Sequence, residues 1–218
     1  MQPTRIIAIR HGETAWNVDT RIQGQLDIGL NDRGLWQAER VGAALADADI
    51  DHIYSSDLQR AHSTAQAIAR HASKPNAAPL QVKLHQGLRE RSFGSFEGET
   101  WADIATKWPE ESRRWKQRDP HFAPAGGETP TVLLDRVQRT VNEIAAQHQG
   151  EHIVLVAHGG VMDMLYRLAT RQELHAPRTW ELGNAAINRL LWTPHALTLV
   201  GWADTGHLDE RSLDESST

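Results

Sequence analysis

Two short aliphatic runs, far apart in the chain, end the same way: RIIAIRHG at residues 5–12 and HIVLVAHG at 152–159 each close on a histidine followed by glycine. Runs of this length without polar alternation fit strands covered on both faces, which is the situation of a parallel sheet packed between helices. Around them strand and helix signals alternate. Thr4–Ile9 reads as the first strand, and Asn31 as the N-cap of a helix running to about Ala46, with Leu35, Ala38, Val41, Gly42 and Leu45 on its inward stripe. His52–Ser55 reads as a strand feeding a helix through Ala61, Ala65 and Ile68. Leu80–His85 reads as a third strand, after a linker whose Pro75 and Pro79 forbid further helix. Thr129 caps a helix with Pro130 at its first position, carrying Val132, Leu133, Val137, Val141 and Ile144 inward until Gly150. A helix through Met162, Leu165 and Leu168 follows His158, and Ala186–Trp192 with Leu197–Trp202 form a hairpin about Pro194 and His195. The expectation is an α/β fold: a three-layer α/β/α sandwich around a mainly parallel sheet.

At 218 residues the chain suits one domain, 1–218. Within it, residues 91–129 are rich in Trp, Gly and Pro and read as a lid-like insertion. The seven-residue spacing of Trp101, Trp108 and Trp115 suggests one apolar helical face used for packing. The polar tail from about 208 to 218 is expected to be disordered. No apolar run reaches the roughly 18 residues of a membrane helix, and MQPTR leads straight into a strand without a secretory pattern, so a cytoplasmic, membrane-free protein is expected. Zero cysteines excludes disulfides, thiolate catalysis and Cys-ligated metals. A net charge of −5 gives no basic field for nucleic acid, so an anionic substrate must be held by local cations.

In parallel sheets ligands sit beyond the carboxyl ends of the strands. His11, the segment Ser55–Arg60 and His158 all follow strand ends, so one crevice can collect them. Arg10 and Arg60, placed near an apolar sheet, need an anion, and phosphate oxygens match guanidinium geometry bidentately. By contrast His148 and His152 have an i, i+4 look, but Gly150 between them breaks the helix a metal pair would need, so no metal and no cofactor are expected.

RHGETAWN (10–17), RIQGQLDIGLNDRG (21–34), SSDLQRAHSTA (55–65), LRERSFGSFEG (88–98), PAGGET (124–129) and AHGG (157–160) together resemble the histidine phosphatase superfamily, also called phosphoglycerate mutase-like. The resemblance implies that His11 is a nucleophile forming a phosphohistidine and that Arg10, Arg60 and His158 bind the phosphoryl group. It makes Glu90 the acid for the leaving oxygen, has Asn17, Gln23 and Gly24 contact phosphate or substrate, and gives Gly159 a backbone donor. Chemistry agrees: a neutral imidazole is a competent nucleophile near pH 7, and fixed cations can stabilise charge spread over a transferring phosphoryl group. Glu13 is left outside this set, with either a role orienting His11 or Arg10 or simple ion pairing.

Within the superfamily, Trp101 stands where a mutase lysine is expected, and PAGGET is typical of the phosphatase branch. The expected activity is therefore metal-independent hydrolysis of a small phosphorylated metabolite, a phosphate monoester. Cofactor-dependent phosphoglycerate mutase (isomerase) activity is the first alternative, and a phosphate-sensing or phosphohistidine protein regulatory module the second. A homodimer is an admissible assembly.

Overall fold

A computed structural model describes residues 2–73 and 78–209. The expectations for Pro75 and for the tail beyond Asp209 lie outside the described residues.

Six strands form one sheet in the order β3-β2-β4-β1-β5-β6. They are β1 (Thr4–Arg10), β2 (His52–Ser55), β3 (Val82–Leu84), β4 (His152–Ala157), β5 (Ile187–Thr193) and β6 (Ala196–Asp204). The pairs β1/β4, β4/β2 and β2/β3 are parallel, while β1/β5 and the hairpin β5/β6 are antiparallel. Among the described residues the helices are α1 (Ala15–Val18), α2 (Asp32–Ala44), α3 (Gln59–Ala72), α4 (Trp101–Lys107), α5 (Pro109–Lys116), α6 (Pro130–Ala146) and α7 (Gly159–Thr170).

Alternation along the strands assigns the two faces. Ile6, Ala8, Ile153, Leu155 and Ala157 pack with Leu133, Val137, Val141, Val161 and Leu165 of α6 and α7. Ile7, Ile9, Val154 and Val156 pack with Val41, Ala61, Ala65 and Ile68 of α2 and α3. This is the expected three-layer arrangement, and it keeps the doubly covered middle of β1 and β4 apolar while leaving their carboxyl ends free for polar residues. No helix among the described residues is long and apolar enough to cross a membrane.

Caps were placed well by the sequence. Asn31 Oδ1 accepts from Gly34 N at 2.8 Å, and Thr129 Oγ1 accepts from Val132 N at 3.1 Å with Pro130 opening α6. Three inward assignments fail. Leu35 is 52% exposed, because the first turn of α2 is pressed so close to the Gly12–Glu13 backbone that Gly34 faces in and Leu35 falls at the edge of the buried arc. A Cβ on Gly34 would lie 2.0 Å from Glu13 O. Val132 is 51% exposed, being roughly 140° round the helix from Val137 at 100° per residue. The Trp spacing does not mark one helix: Trp108 lies between α4 and α5 with φ −136° and ψ 67°, and Pro109 opens the second. Trp108 and Trp115 nevertheless pack, with Phe93, on a separate cluster of Ile22, Phe96, Ile104 and Phe122, and Trp101 meets Trp115 at a centroid distance of 5.2 Å.

Candidate active site

His11 follows β1 on a main chain held from several sides. Its N–H donates to Ala157 O at 3.0 Å, its carbonyl accepts from Asn184 Nδ2 at 2.8 Å, Ala185 N donates to Arg10 O at 2.9 Å, and Gly12 N donates to Thr64 Oγ1 at 3.1 Å. The ring is 3% exposed. Nδ1 lies 2.7 Å from Gly12 O. A carbonyl only accepts, so Nδ1 carries the proton and the lone pair sits on Nε2. Burial, then the charges of Arg60 and Arg10, push the His11 pKa well below 6.5 against the opposing Gly12 hydrogen bond. The ring is therefore neutral and nucleophilic. Gly12 is required by packing rather than by a ligand, since a Cβ there would stand 2.4 Å from Gly34 O.

Around this ring the structure gathers two guanidinium groups and a second imidazole whose polar edges are unpaired. Arg60, at the start of α3, is fully buried and gives its Nη atoms to Leu26 O at 2.8 Å and Gly24 O at 2.7 Å. Arg10 reaches Leu182 O through Nη1, and its Nε lies 3.5 Å from where a Cβ on Gly159 would be. His158 opens α7, with its ring centroid 5.2 Å from that of His11. Arg10 Nε, Arg60 Nε and both ring nitrogens of His158 are buried with no hydrogen-bond partner among the described residues. Each such group costs about 1–3 kcal/mol, and the two guanidinium N–H groups with the one N–H of a neutral His158 fit a multivalent oxyanion. Burial lowers the pKa of Arg10 and Arg60, and burial with the Arg60, His11 and Arg10 charges pushes His158 well below 6.5.

Glu90 lies on the N-terminus of α7. Gly160 N donates to Oε1 and Oε2, both at 3.1 Å, and Arg91 N donates to Oε1 at 2.7 Å. Gly160 must be glycine for this contact, because a Cβ would meet Glu90 Oε1 at 2.3 Å. The Glu90 carbonyl accepts from Gln25 Nε2 at 3.1 Å, and Arg136, paired with Glu128 at 2.7 Å, also supports Gly87 O and Arg89 O. The Glu128 of PAGGET is thus a brace for the Glu90 segment.

The lesser predicted residues sort by role. Asn17 Oδ1 is committed to capping α1 at Thr14 N, 3.0 Å, which leaves its amide as the donating end. Gln23 is buried with an unpartnered Oε1. Gly24 acts through its carbonyl on Arg60 and its positive φ of 51°. Gly159 supplies the close approach to Arg10. Among the described residues the Glu13 carboxylate forms no hydrogen bond or ion pair with His11 or Arg10; its Oε1 accepts from Asn31 Nδ2 at 2.9 Å. Sequence reasoning missed Asn184, Leu182 and Arg178, which lie in the irregular stretch between α7 and β5 where no periodicity marks them. It also missed Thr64, whose hydroxyl is one face of an otherwise ordinary helix.

Beside Arg10, Gly159 and Gly160 opens a cleft of about 850 Å³, lined also by Phe93, Trp101, Trp115, Lys116, Arg118, Arg167 and Arg178. Arg167 pairs with Asp163 at 3.1 Å. Lys116, Arg118 and Arg178 make no ion pair among the described residues.

Comparison with known proteins converges. Residues 6–205 match the model of the histidine phosphatase superfamily (branch 1). The chain is 37% identical over 214 residues to phosphoglycerate mutase-like protein 4 of Arabidopsis thaliana, covering 97% of this chain and 90% of that protein. It is 35% identical over 207 residues to the metal-independent phosphoserine phosphatase of the same plant, covering 94% and 83%. Among solved structures, a mycobacterial glucosyl-3-phosphoglycerate phosphatase complexed with VO3 superposes with a TM-score of 0.79 at 30% identity, covering 92% and 99%.

Proposed function

The chain belongs to the histidine phosphatase superfamily, branch 1, and on that premise we propose that it hydrolyses a small phosphate monoester, without a metal, through a phosphohistidine at His11. The observation that carries this reading is the ring of buried, unpartnered nitrogens on Arg10, Arg60 and His158 beside the lone pair of His11 Nε2. In the first half-reaction Nε2 attacks phosphorus, the P–O ester bond breaks, and the departing oxygen takes the carboxyl proton of Glu90. Arg10, Arg60 and His158 meet the charge that spreads over the equatorial oxygens, with Asn17 and the Gly159 amide as further donors. In the second half Glu90, now a carboxylate, takes a proton from water as its oxygen attacks phosphorus. The N–P bond breaks, and His11 is restored with orthophosphate released.

The remainder of the substrate occupies the cleft over Arg10, where Lys116, Arg118 and Arg178 favour a second anionic group and Trp101, Trp115 and Phe93 limit its bulk. The phosphoserine and glucosyl-phosphoglycerate named for two relatives each carry a carboxylate besides the phosphate, which supports a carboxylate there. A panel of phosphate monoesters with and without a carboxylate, assayed for phosphate release with chelator present, tests this. Rapid quench with a labelled substrate should trap an acid-labile adduct in the protein, and none in His11→Ala. Release that survives His11→Ala refutes the mechanism. Interconversion of 2- and 3-phosphoglycerate that outruns phosphate release on addition of bisphosphoglycerate would replace hydrolysis with mutase chemistry.

A further inference from the structure

The parallel strands present their carboxyl ends to the His11 site, and their opposite ends carry a second group of histidines. β2 begins at His52, and the turn between α6 and β4 holds His148 and Glu151. The relevant partner of His148 is thus His52 on the neighbouring strand rather than His152, so the break at Gly150 is no obstacle. Glu151 Oε2 lies 2.6 Å from His148 Nδ1 and 3.2 Å from His52 Nε2, and one donor atom from each residue lies within 4.8 Å of the others. The two ring centroids are 4.2 Å apart, with the planes tilted by 38°. Behind them, Tyr54 Oη is 2.8 Å from His148 Nε2.

We propose that His52 Nε2, His148 Nδ1 and Glu151 Oε2 form a binding site for a divalent transition metal of the zinc class, with the fourth position open to solvent. Two imidazoles and a carboxylate are a donor set zinc accepts, and ligand atoms of a tetrahedral zinc stand about 3.3 Å apart given its bond lengths. Glu151, 43% exposed, can turn outward and widen the 2.6 Å spacing, while His148 is held at 7% exposure. Binding moves one proton within the buried histidine: Nδ1–H, which faces Glu151 in the free protein, becomes Nε2–H and donates to Tyr54 Oη, whose own hydroxyl hydrogen rotates away. A ligating histidine anchored through its other nitrogen to an oxygen is the usual outer-shell arrangement. The charged neighbours on the adjoining elements are Asp51, which favours a cation, and Lys83, 3.4 Å from Tyr54 Oη, which opposes one. Being at the opposite end of the sheet from His11, the metal would tie the start of β2 to the α6–β4 turn without entering the phosphate chemistry.

The test uses untagged, chelator-treated full-length protein titrated with Zn²⁺ by calorimetry and with Co²⁺ by visible absorption. One saturable equivalent, a tetrahedral Co²⁺ band and a Zn²⁺-dependent rise in Tm are expected. His52→Ala and Glu151→Gln, both at partly exposed positions, should each weaken binding at least tenfold and abolish the Tm rise, while leaving phosphate release unchanged. Absence of saturable binding overturns the proposal, as does binding that persists in both variants, which would place the metal among the other histidines of the chain.

Discussion

Gly160→Ala separates the placement of Glu90 from the stability of the fold. A Cβ at this position would stand 2.3 Å from Glu90 Oε1 and 3.3 Å from Glu90 Cδ, whereas its nearest contact outside Glu90, Leu133 Cδ2, is at an ordinary 3.4 Å. Restoring van der Waals contact requires the carboxylate to retreat by about 1 Å, with loss of the two 3.1 Å bonds from Gly160 N. What yields is the far end of a flexible side chain, and alanine suits the first turn of α7, so unfolding free energy should change by less than about 1 kcal/mol. Catalysis should not escape so lightly. A positioned acid contributes roughly 10²–10⁴-fold, and a 1 Å misplacement can remove about 10², or about 2.7 kcal/mol of transition-state stabilisation. Because protonation matters only when the departing oxygen is basic, kcat/KM should fall about a hundredfold for an alkyl phosphate and less than about fivefold for nitrophenyl phosphate. kcat/KM is the appropriate quantity, since it stops at the first irreversible step and excludes the second use of Glu90 as base. Equal losses on both substrates would show that the residue displaced is not the acid. Unchanged rates in Gly160→Ala alongside a large loss in Glu90→Gln would show that the contact with α7 does not set its position.

Gly12→Ala should act on stability instead, because its Cβ meets backbone, Gly34 O at 2.4 Å. Chemical denaturation should show about 1–3 kcal/mol lost. Arg178→Ala should raise KM about tenfold for carboxylate-bearing monoesters with kcat unchanged, and leave monoesters lacking a carboxylate unaffected. An equal effect on both classes removes the guanidinium from substrate recognition. His11 and His158 both titrate below their ordinary value in the folded chain. The unfolded chain therefore binds more protons as pH falls below about 6.5, and stability present above that pH declines on acidification, by up to about 1.4 kcal/mol per pH unit per ring, until each folded pKa is passed. Urea titrations at about pH 7.5, 6.5 and 5.5 should show this decline, and His158→Gln should flatten it. An identical slope in that variant would contradict a buried neutral His158.

The strand ends of the candidate site were legible because a doubly covered strand forces its apolar run to be continuous, so the polar residues that interrupt it, His11 and His158, stand out. Caps were legible for a similar reason, since Asn31 and Thr129–Pro130 act locally. Legibility failed where the deciding contact is long-range. Nothing in the neighbourhood of Leu35 reveals that the Gly12 backbone will turn Gly34 inward. The Trp repeat concealed a break that Trp108–Pro109 makes between two helices. Arg178, Leu182 and Asn184 lie in irregular chain that has no period to read, yet Asn184 fixes the carbonyl of His11 and Leu182 fixes Arg10. The His52 cluster was hidden because its members come from the start of β2 and the turn before β4, which only the sheet order makes adjacent.

The unpartnered nitrogens around His11 make no distinction between a phosphoryl group in flight and one already freed. Under the proposed hydrolysis, orthophosphate released in the cleft would meet the same guanidinium and imidazole edges that drew the ester in, and leaving would expose them again. Turnover should accordingly slow as phosphate accumulates in the surroundings, so that the supply of the product anion, as much as that of the ester, governs how fast the protein works.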